Sequence, residues 1–152
     1  MNFSARLTCP LGDPEKNKKA NFRVDNGALG ATGLTLSLAQ NVCTWEGFQI
    51  NGVDVTESLM TGSGPFYPDG TWSAEGYDFG RLSNGDNYLA QWSEKGDSKT
   101  IRGKWKLVMG TGTLRGITGE ATFEELAPKL GDTSVVAIVT GWYLLPSDNL
   151  KS

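Results

Sequence analysis

The sequence predicts a single all-β domain, and three observations lead to this prediction. Glycine is abundant, with 20 residues in a chain of 152. Few stretches show the periodicity of a long helix. The stretch 71–125 contains three strand-like runs, two hairpin turns and a corner rich in glycine. A chain of this length can bury its own core as one domain, with a polar N-terminal segment at 1–19 and a tail at 146–152.

The first hairpin of this stretch is predicted at Asn84-Gly85, which lies between two runs rich in aromatic residues. Asn-Gly is typical of a two-residue type I′ turn, because both central positions of that turn need positive φ. In this register Tyr77 lies opposite Trp92. Cross-strand partners point to the same side of a sheet, so these two side chains are predicted to share a face.

A second and weaker turn signal, Gly96-Asp97, predicts the next hairpin with Ile101 opposite Trp92. In the strand that follows, apolar residues alternate with cations, which is the pattern of a half-buried strand. A slip of one residue would invert the faces of a whole strand. The two registers together predict one inward face: Glu75, Tyr77, Phe79, Arg81, Tyr88, Ala90, Trp92, Ile101, Gly103, Trp105 and Leu107.

Other strands are predicted on either side of this stretch. Leu34, Leu36 and Leu38 alternate with small polar residues and indicate an amphipathic strand. Residues 53–60 fit either a strand or a single helical turn. Residues 61–70 (TGSGPFYPDG) are rich in glycine and proline and are predicted to form a loop.

The corner at 109–119 has glycines at positions 110, 112, 116 and 119. It lacks the Gly-Lys-[Ser/Thr] ending of a phosphate-binding loop. A strand, a tight turn through positive φ and a further strand at 120–125 are therefore predicted.

This corner and the apolar strand after it carry a resemblance to known families. The segment GTGTLRGITGEATFEE, followed by SVVAIVTGWYLLP, is similar to the C-terminal part of the allene oxide cyclase and dirigent-type β-barrel families. The resemblance covers residues 109–146. It implies a single closed antiparallel, calycin-like barrel of about eight strands around an apolar lumen of ligand size. The catalytic carboxylates of those families match no position here, so none is assigned from the resemblance.

The last predicted strand, at 133–145, is apolar on both faces. This pattern is typical of a strand that faces a barrel interior on one side and a helix or another subunit on the other. An uncovered apolar face of this kind would favour aggregation. A homodimer or homotrimer is therefore expected.

Composition excludes several function classes. The net charge is −3 and no long basic run is present, so nucleic acid is not an expected partner. The chain has no histidine, which removes Ser-His-Asp and Cys-His catalysis and histidine-ligated zinc. No metal or cofactor is expected. No apolar run reaches membrane-spanning length and no signal peptide is recognisable, which favours a cytoplasmic location and leaves a mature exported form open.

Cys9 and Cys43 are the two cysteines of the chain. They allow one intrachain disulfide, which would be compatible with export. Two free, buried thiols are the alternative.

The candidate site lies on the predicted inward face. A carboxylate among aromatic residues would have a raised pKa and could act as a general acid or base. The predicted catalytic residues are Glu75, Tyr77, Arg81 and Tyr88, and the predicted ligand-binding residues are Phe79, Trp92, Trp105, Leu107 and Ile101. Alternatively, the aromatic residues simply fill the barrel and the charged residues are structural. Glu120, Glu124 and Glu125 are expected to face solvent.

Two function classes remain on these grounds. The first is a cofactor-independent cyclase or isomerase acting on a small hydrophobic molecule, such as an oxygenated lipid, polyketide or phenolic compound. The alternative is a lipocalin-like binding protein without catalysis. An exposed Glu75 would rule out the mechanism that depends on it. A lumen plugged by side chains would rule out both classes.

Overall fold

A computed structural model describes residues 1–11, 15–26 and 31–146. Within these ranges the chain is almost entirely β-structure and contains no α-helix. The part of the tail beyond residue 146 lies outside the described residues. The strands of the described ranges are β1 (Asn2–Pro10), β2 (Asn17–Asn26), β3 (Ala31–Glu46), β4 (Gln49–Ile50), β5 (Val53–Phe66), β6 (Trp72–Leu82), β7 (Asn87–Gly96), β8 (Thr100–Gly110), β9 (Thr118–Leu126) and β10 (Ser134–Leu144).

Eight of these strands form a closed antiparallel barrel, in the order β1-β10-β9-β8-β7-β6-β5-β3. The long strand β3 closes it, because one edge of β3 pairs with β5 while the end of its other edge pairs with β1. Strands β2 and β4 lie outside the ring, paired with β3 and β5 respectively. The predicted all-β barrel of about eight strands is confirmed.

The prediction of a loop at 61–70 is wrong for residues 61–66. Residues 61–66 belong to β5 and pair with both β3 and β6. The glycines that suggested a loop instead let neighbouring groups approach the strand, since a Cβ on Gly62 would overlap the Trp92 ring and one on Gly64 would overlap the Ser73 backbone. Glycine in a strand often marks such a close approach.

The β6–β7 hairpin differs by one residue from the predicted register. The Leu82 amide donates to the Asp86 carbonyl and the Gly85 amide donates to the Leu82 carbonyl. These bonds enclose a three-residue turn in which Gly85 alone has positive φ, at 92°. Tyr77 therefore pairs with Gln91 instead of Trp92. The shift of one residue turns every side chain of β6 to the opposite face of the sheet.

The β7–β8 hairpin also differs from prediction, but its faces do not. Trp92 pairs with Trp105, four residues beyond the predicted partner Ile101. Because this shift is an even number of residues, the inward side chains of β8 remain inward. Ile101, Trp105 and Leu107 are buried as predicted.

The glycine-rich corner forms the predicted tight turn. A 3-10 turn spans Gly112–Leu114, and Gly112 and Gly116 have φ values of 54° and 79°. Leu114 and Ile117 are buried there and help to fill one end of the barrel.

A buried polar network crosses the filled end of the barrel. The carboxylate oxygen Oδ2 of Asp78 accepts hydrogen bonds from Trp105 Nε1 at 2.8 Å and from the Tyr88 hydroxyl at 3.1 Å. The Ser58 Oγ accepts one from Trp45 Nε1 at 2.7 Å and lies 3.2 Å from the Tyr88 hydroxyl oxygen. Burial raises the pKa of Asp78 to about 6, although the hydrogen bonds to its carboxylate oppose this. The network connects five strands through their side chains.

Cys9 and Cys43 form a disulfide, which settles the open question of their state. The bond joins β1 to β3, where the two strands share only a short ladder between Arg6–Thr8 and Thr44–Glu46. It closes a loop with a sequence separation of 34 residues. By loop-closure entropy, such a cross-link stabilises the fold by about 3–4 kcal/mol.

A comparison of two tyrosine substitutions tests the observed register. Tyr88→Phe should lower the free energy of unfolding by about 1–3 kcal/mol, because buried partners in the polar network lose a hydrogen bond. Tyr77→Phe should change it by less than about 0.5 kcal/mol, because Tyr77 lies on the exposed outer face. Urea denaturation measures both. Equal losses from the two substitutions would contradict the register.

Candidate functional site

The barrel interior is filled by side chains at one end and contains a cavity at the other. Phe48, Leu82, Leu114 and Ile117 are almost fully buried at the filled end. The remaining lumen contains a cavity of about 330 Å³, called here the lumen cavity. Its aromatic wall is formed by Trp45, Phe66, Trp72, Trp92, Trp105 and Phe123.

The lumen cavity lies at the end of the barrel where β1 and β9 finish. Leu11, Ala127 and Pro128, which follow those strands, contribute to its wall. Phe66 and Trp72, on the two sides of the β5–β6 turn, stack with ring centroids 5.4 Å apart. These positions identify this end of the barrel as the mouth.

Two carboxyl groups lie in the wall of the lumen cavity, Glu94 on β7 and Glu125 on β9. Three of the four residues that pair with them on the flanking strands are small. Glu94 pairs with Ala74 and Gly103, and Glu125 pairs with Ala137 and Ile101. Both glutamates are half-buried.

Neither carboxyl group is neutralised by a neighbour. Within the described ranges, no hydrogen bond or ion pair joins the side chain of Glu94 or Glu125 to another residue. Burial raises the pKa of Glu94 to about 8, and the charge of Glu125 adds to this. Burial also raises the pKa of Glu125 to about 7. Near neutral pH the pair can therefore both release and accept a proton.

The space beside Glu94 depends on a glycine. Gly103 lies between Glu94 and Phe123 in adjacent strands. A Cβ at position 103 would overlap the Phe123 ring, so the glycine makes room for this ring. The indole nitrogen of Trp92, another wall residue, is buried and has no hydrogen-bond partner.

Four predicted site residues lie outside the barrel. Glu75 and Arg81 are exposed on the outer face of β6, where the Arg81 guanidinium lies 3.6 Å from the Glu57 carboxylate. Tyr77 and Phe79 are exposed by 48% and 47% on the same face. Their predicted position in the lumen is wrong, because the three-residue turn inverts β6. The mechanism that relied on a buried Glu75 is ruled out with it.

The other five predicted residues point inward, and three of them reach the lumen cavity. Ile101, Trp92 and Trp105 line its wall. Tyr88 and Leu107 are buried in the filled end instead.

The sequence-based prediction missed both wall carboxylates. The expectation that Glu125 faces solvent is wrong, whereas Glu120 and Glu124 are exposed as expected. The alternation of inward and outward residues along each strand contained the signal that both glutamates point inward. Glu94 continues the inward series of Tyr88, Ala90 and Trp92 by one more step, and Glu125 has the same parity as the inward residues 121 and 123.

No protein-family model matches this chain, and no curated protein matches its sequence. The closed barrel agrees with the calycin-like architecture that the resemblance at 109–146 implies. In the described residues, no cluster of three or more acidic or cysteine side chains could hold a metal ion. No helix of the described ranges is long and apolar enough to cross a membrane.

The wall carboxylates should make the protein less stable as the pH rises. A carboxyl group with a raised pKa binds its proton more tightly in the folded state, so stability is lost as the pH rises through the folded pKa. Between about pH 6.5 and 8.5 the melting temperature should fall by roughly 2–6 °C. The double variant Glu94→Gln/Glu125→Gln should lose most of this fall in differential scanning calorimetry.

The matched control is Glu120→Gln/Glu124→Gln, which alters two exposed carboxylates of β9. It should keep the fall in melting temperature. Asp78, with a pKa of about 6, titrates mainly below this range. Asp69, Asp86 and Asp97 have lowered pKa values and titrate lower still. A fall that survives in the Glu94→Gln/Glu125→Gln variant would contradict the assignment.

Proposed function

We propose that this protein binds a small, mainly apolar molecule in the lumen of its barrel. The observation that carries the proposal is the lumen cavity of about 330 Å³ with its aromatic wall. Ligand pockets are typically concave, about 300–1,000 Å³ in volume, and lined by apolar groups with a few polar ones. Glu94 and Glu125 are the polar groups that would orient the molecule.

The amino acids of the wall also favour a ligand-binding lumen over a plugged one. Small residues occupy three wall positions where larger side chains would fill the space: Ala39, Ala74 and Ala137. A barrel of eight strands is just wide enough to be filled by side chains or to hold one small ligand. At the end of the barrel that contains the lumen cavity, the small residues favour a bound ligand over a lumen filled by side chains.

A second candidate is a cofactor-independent isomerase or cyclase, and the two wall carboxyls favour it. With its pKa near 8, Glu94 keeps a proton at neutral pH and can donate it. Glu125, with its pKa near 7, is the better proton acceptor. Two carboxyl groups whose pKa values differ are a common basis for acid–base catalysis. The resemblance to allene oxide cyclases supports a reaction of this type by analogy alone.

A homodimer or homotrimer remains part of the proposal. On the outer face of β10, Ile138 and Leu144 are exposed by 52% and 57%, and Trp142 by 39%. Covering such a row would remove apolar surface from water.

Blocking the lumen cavity should abolish binding. Ala74→Phe puts a ring into the cavity wall, whereas Ala20→Phe makes the same change at an exposed position of β2. Ala74→Phe should weaken the binding of a fluorescent hydrophobic dye by at least about tenfold, which corresponds to 1.4 kcal/mol. Native mass spectrometry should show any co-purified molecule in the wild type and in Ala20→Phe only. A wild-type protein that binds neither dye nor molecule would overturn the proposal.

The catalytic candidate predicts a proton transfer to carbon. With the co-purified molecule as substrate, wild-type protein in deuterated water should introduce deuterium into it. Glu94→Gln and Glu125→Gln should each slow this incorporation by about 10²-fold or more, the usual range for a general acid or base. Binding should persist in both variants. Glu75→Gln, which alters an exposed residue, should have no effect, and incorporation that is unchanged in all three variants would exclude the candidate.

A further inference from the structure

The lumen cavity combines two carboxyl groups with aromatic side chains, and no charged group of its described wall pairs with these carboxyls. Glu94 and Glu125 have no ion-pair partner among the described residues. Lys19 also borders the cavity, but its side chain is exposed and forms no ion pair with either glutamate. Unpaired carboxylates in an apolar surrounding cost free energy.

We propose that the ligand of the lumen cavity is an organic cation, a small apolar body that carries an amine or quaternary ammonium group. This proposal rests on the proposed binding function and specifies the chemical class of the ligand. The cation would contact the two carboxylates and the aromatic side chains beside them on β7, β8 and β9.

The aromatic wall supports a cation as well as an apolar body. Trp92, Trp105 and Phe123 contribute to the wall of the cavity that also contains both carboxyls. The faces of aromatic rings attract cations, tryptophan most strongly, by about 0.5–2 kcal/mol for each contact. Recognition of quaternary ammonium groups by aromatic side chains is the best-known use of this attraction.

The carboxylates also select against other ligand classes. When both carboxyl groups are ionised, an anionic ligand would add a third negative charge to the same low-dielectric space, which is unfavourable. A neutral ligand would then leave both carboxylates without a counter-charge. A cation removes this cost, and its binding strengthens as the carboxyl groups ionise.

Other charged groups near the carboxyls do not alter this expectation. On the neighbouring strands, Glu75 of β6, Arg102 of β8 and Glu124 of β9 are all exposed on the outer face. The Arg102 guanidinium is paired with the Glu124 carboxylate at 3.3 Å. Lys19 is thus the remaining charged residue in the described wall of the cavity.

Two probes of the same shape test the charge. Benzyltrimethylammonium and neopentylbenzene differ only in that a quaternary nitrogen replaces a quaternary carbon. Titration calorimetry at about pH 9, where both carboxyls are ionised, should show the cation binding at least about tenfold more tightly than the hydrocarbon. Because this cation has no titratable proton, any loss of affinity between about pH 9 and pH 5.5 reports protonation of the protein.

Substitutions test whether Glu94 and Glu125 cause the preference for the cation. Glu94→Gln/Glu125→Gln should bind the cation and the hydrocarbon about equally, and the pH dependence should disappear. Glu75→Gln, altered on the outer face, should behave as the wild type. A retained preference for the cation in the double variant would overturn the proposal.

The remaining outcomes separate this proposal from the proposed function. Equal affinity of the wild type for both probes, or tighter binding of the anion hydrocinnamate, would overturn the cation proposal and leave apolar binding intact. Failure of every probe and of the hydrophobic dye to bind would overturn the binding function itself.

Discussion

The three-residue turn between β6 and β7 determines which residues the barrel encloses. Because Gly85 alone has positive φ, the turn is one residue longer than a type I′ turn, and β6 enters the sheet with its even-numbered residues inward. Asp78 is thereby buried, and Tyr77 and Phe79 are exposed. A two-residue turn would have reversed all three. The conformation of this one glycine therefore decides which side chains of β6 lie inside the barrel and which lie on its outer surface.

The filled half and the open half of the barrel differ in how they satisfy their polar groups. In the filled half, Asp78 accepts hydrogen bonds from Trp105 and Tyr88, so a buried carboxyl group is tied into the packing. In the open half, Glu94 and Glu125 have no such partners in the described chain. A polar network that is largely satisfied specifies one arrangement of a core, whereas unpaired carboxyls in a cavity are typical of a functional site.

The wall carboxyls therefore represent a cost in stability that the fold does not require. At either position a glutamine would avoid the free energy of ionising a half-buried group. Ala39, Ala74 and Ala137 in the cavity wall also leave a volume unfilled that larger side chains would occupy with a gain in packing. Natural proteins depart from good packing and neutral interiors mainly at their functional sites. The unpaired carboxyl groups and the unfilled volume occur together in the lumen cavity, which supports a role of this cavity in ligand binding.

The amino-acid sequence by itself determined the class of fold. Alternation along β8, glycines at the corner and an apolar final strand predict an all-β domain, because a strand exposes its residues with a period of two. The resemblance at 109–146 supplied the number of strands. The inward side chains of β7 and β8 were also predictable, since the error of four residues in their register preserves parity. Only the tertiary structure decided the face of β6, the disulfide and which face of β9 points inward, because these depend on the conformation of single turns and on strands distant in sequence. The two carboxyl groups lie on the strands that flank β8, and only the observed registers of β7, β8 and β9 bring them into one cavity wall.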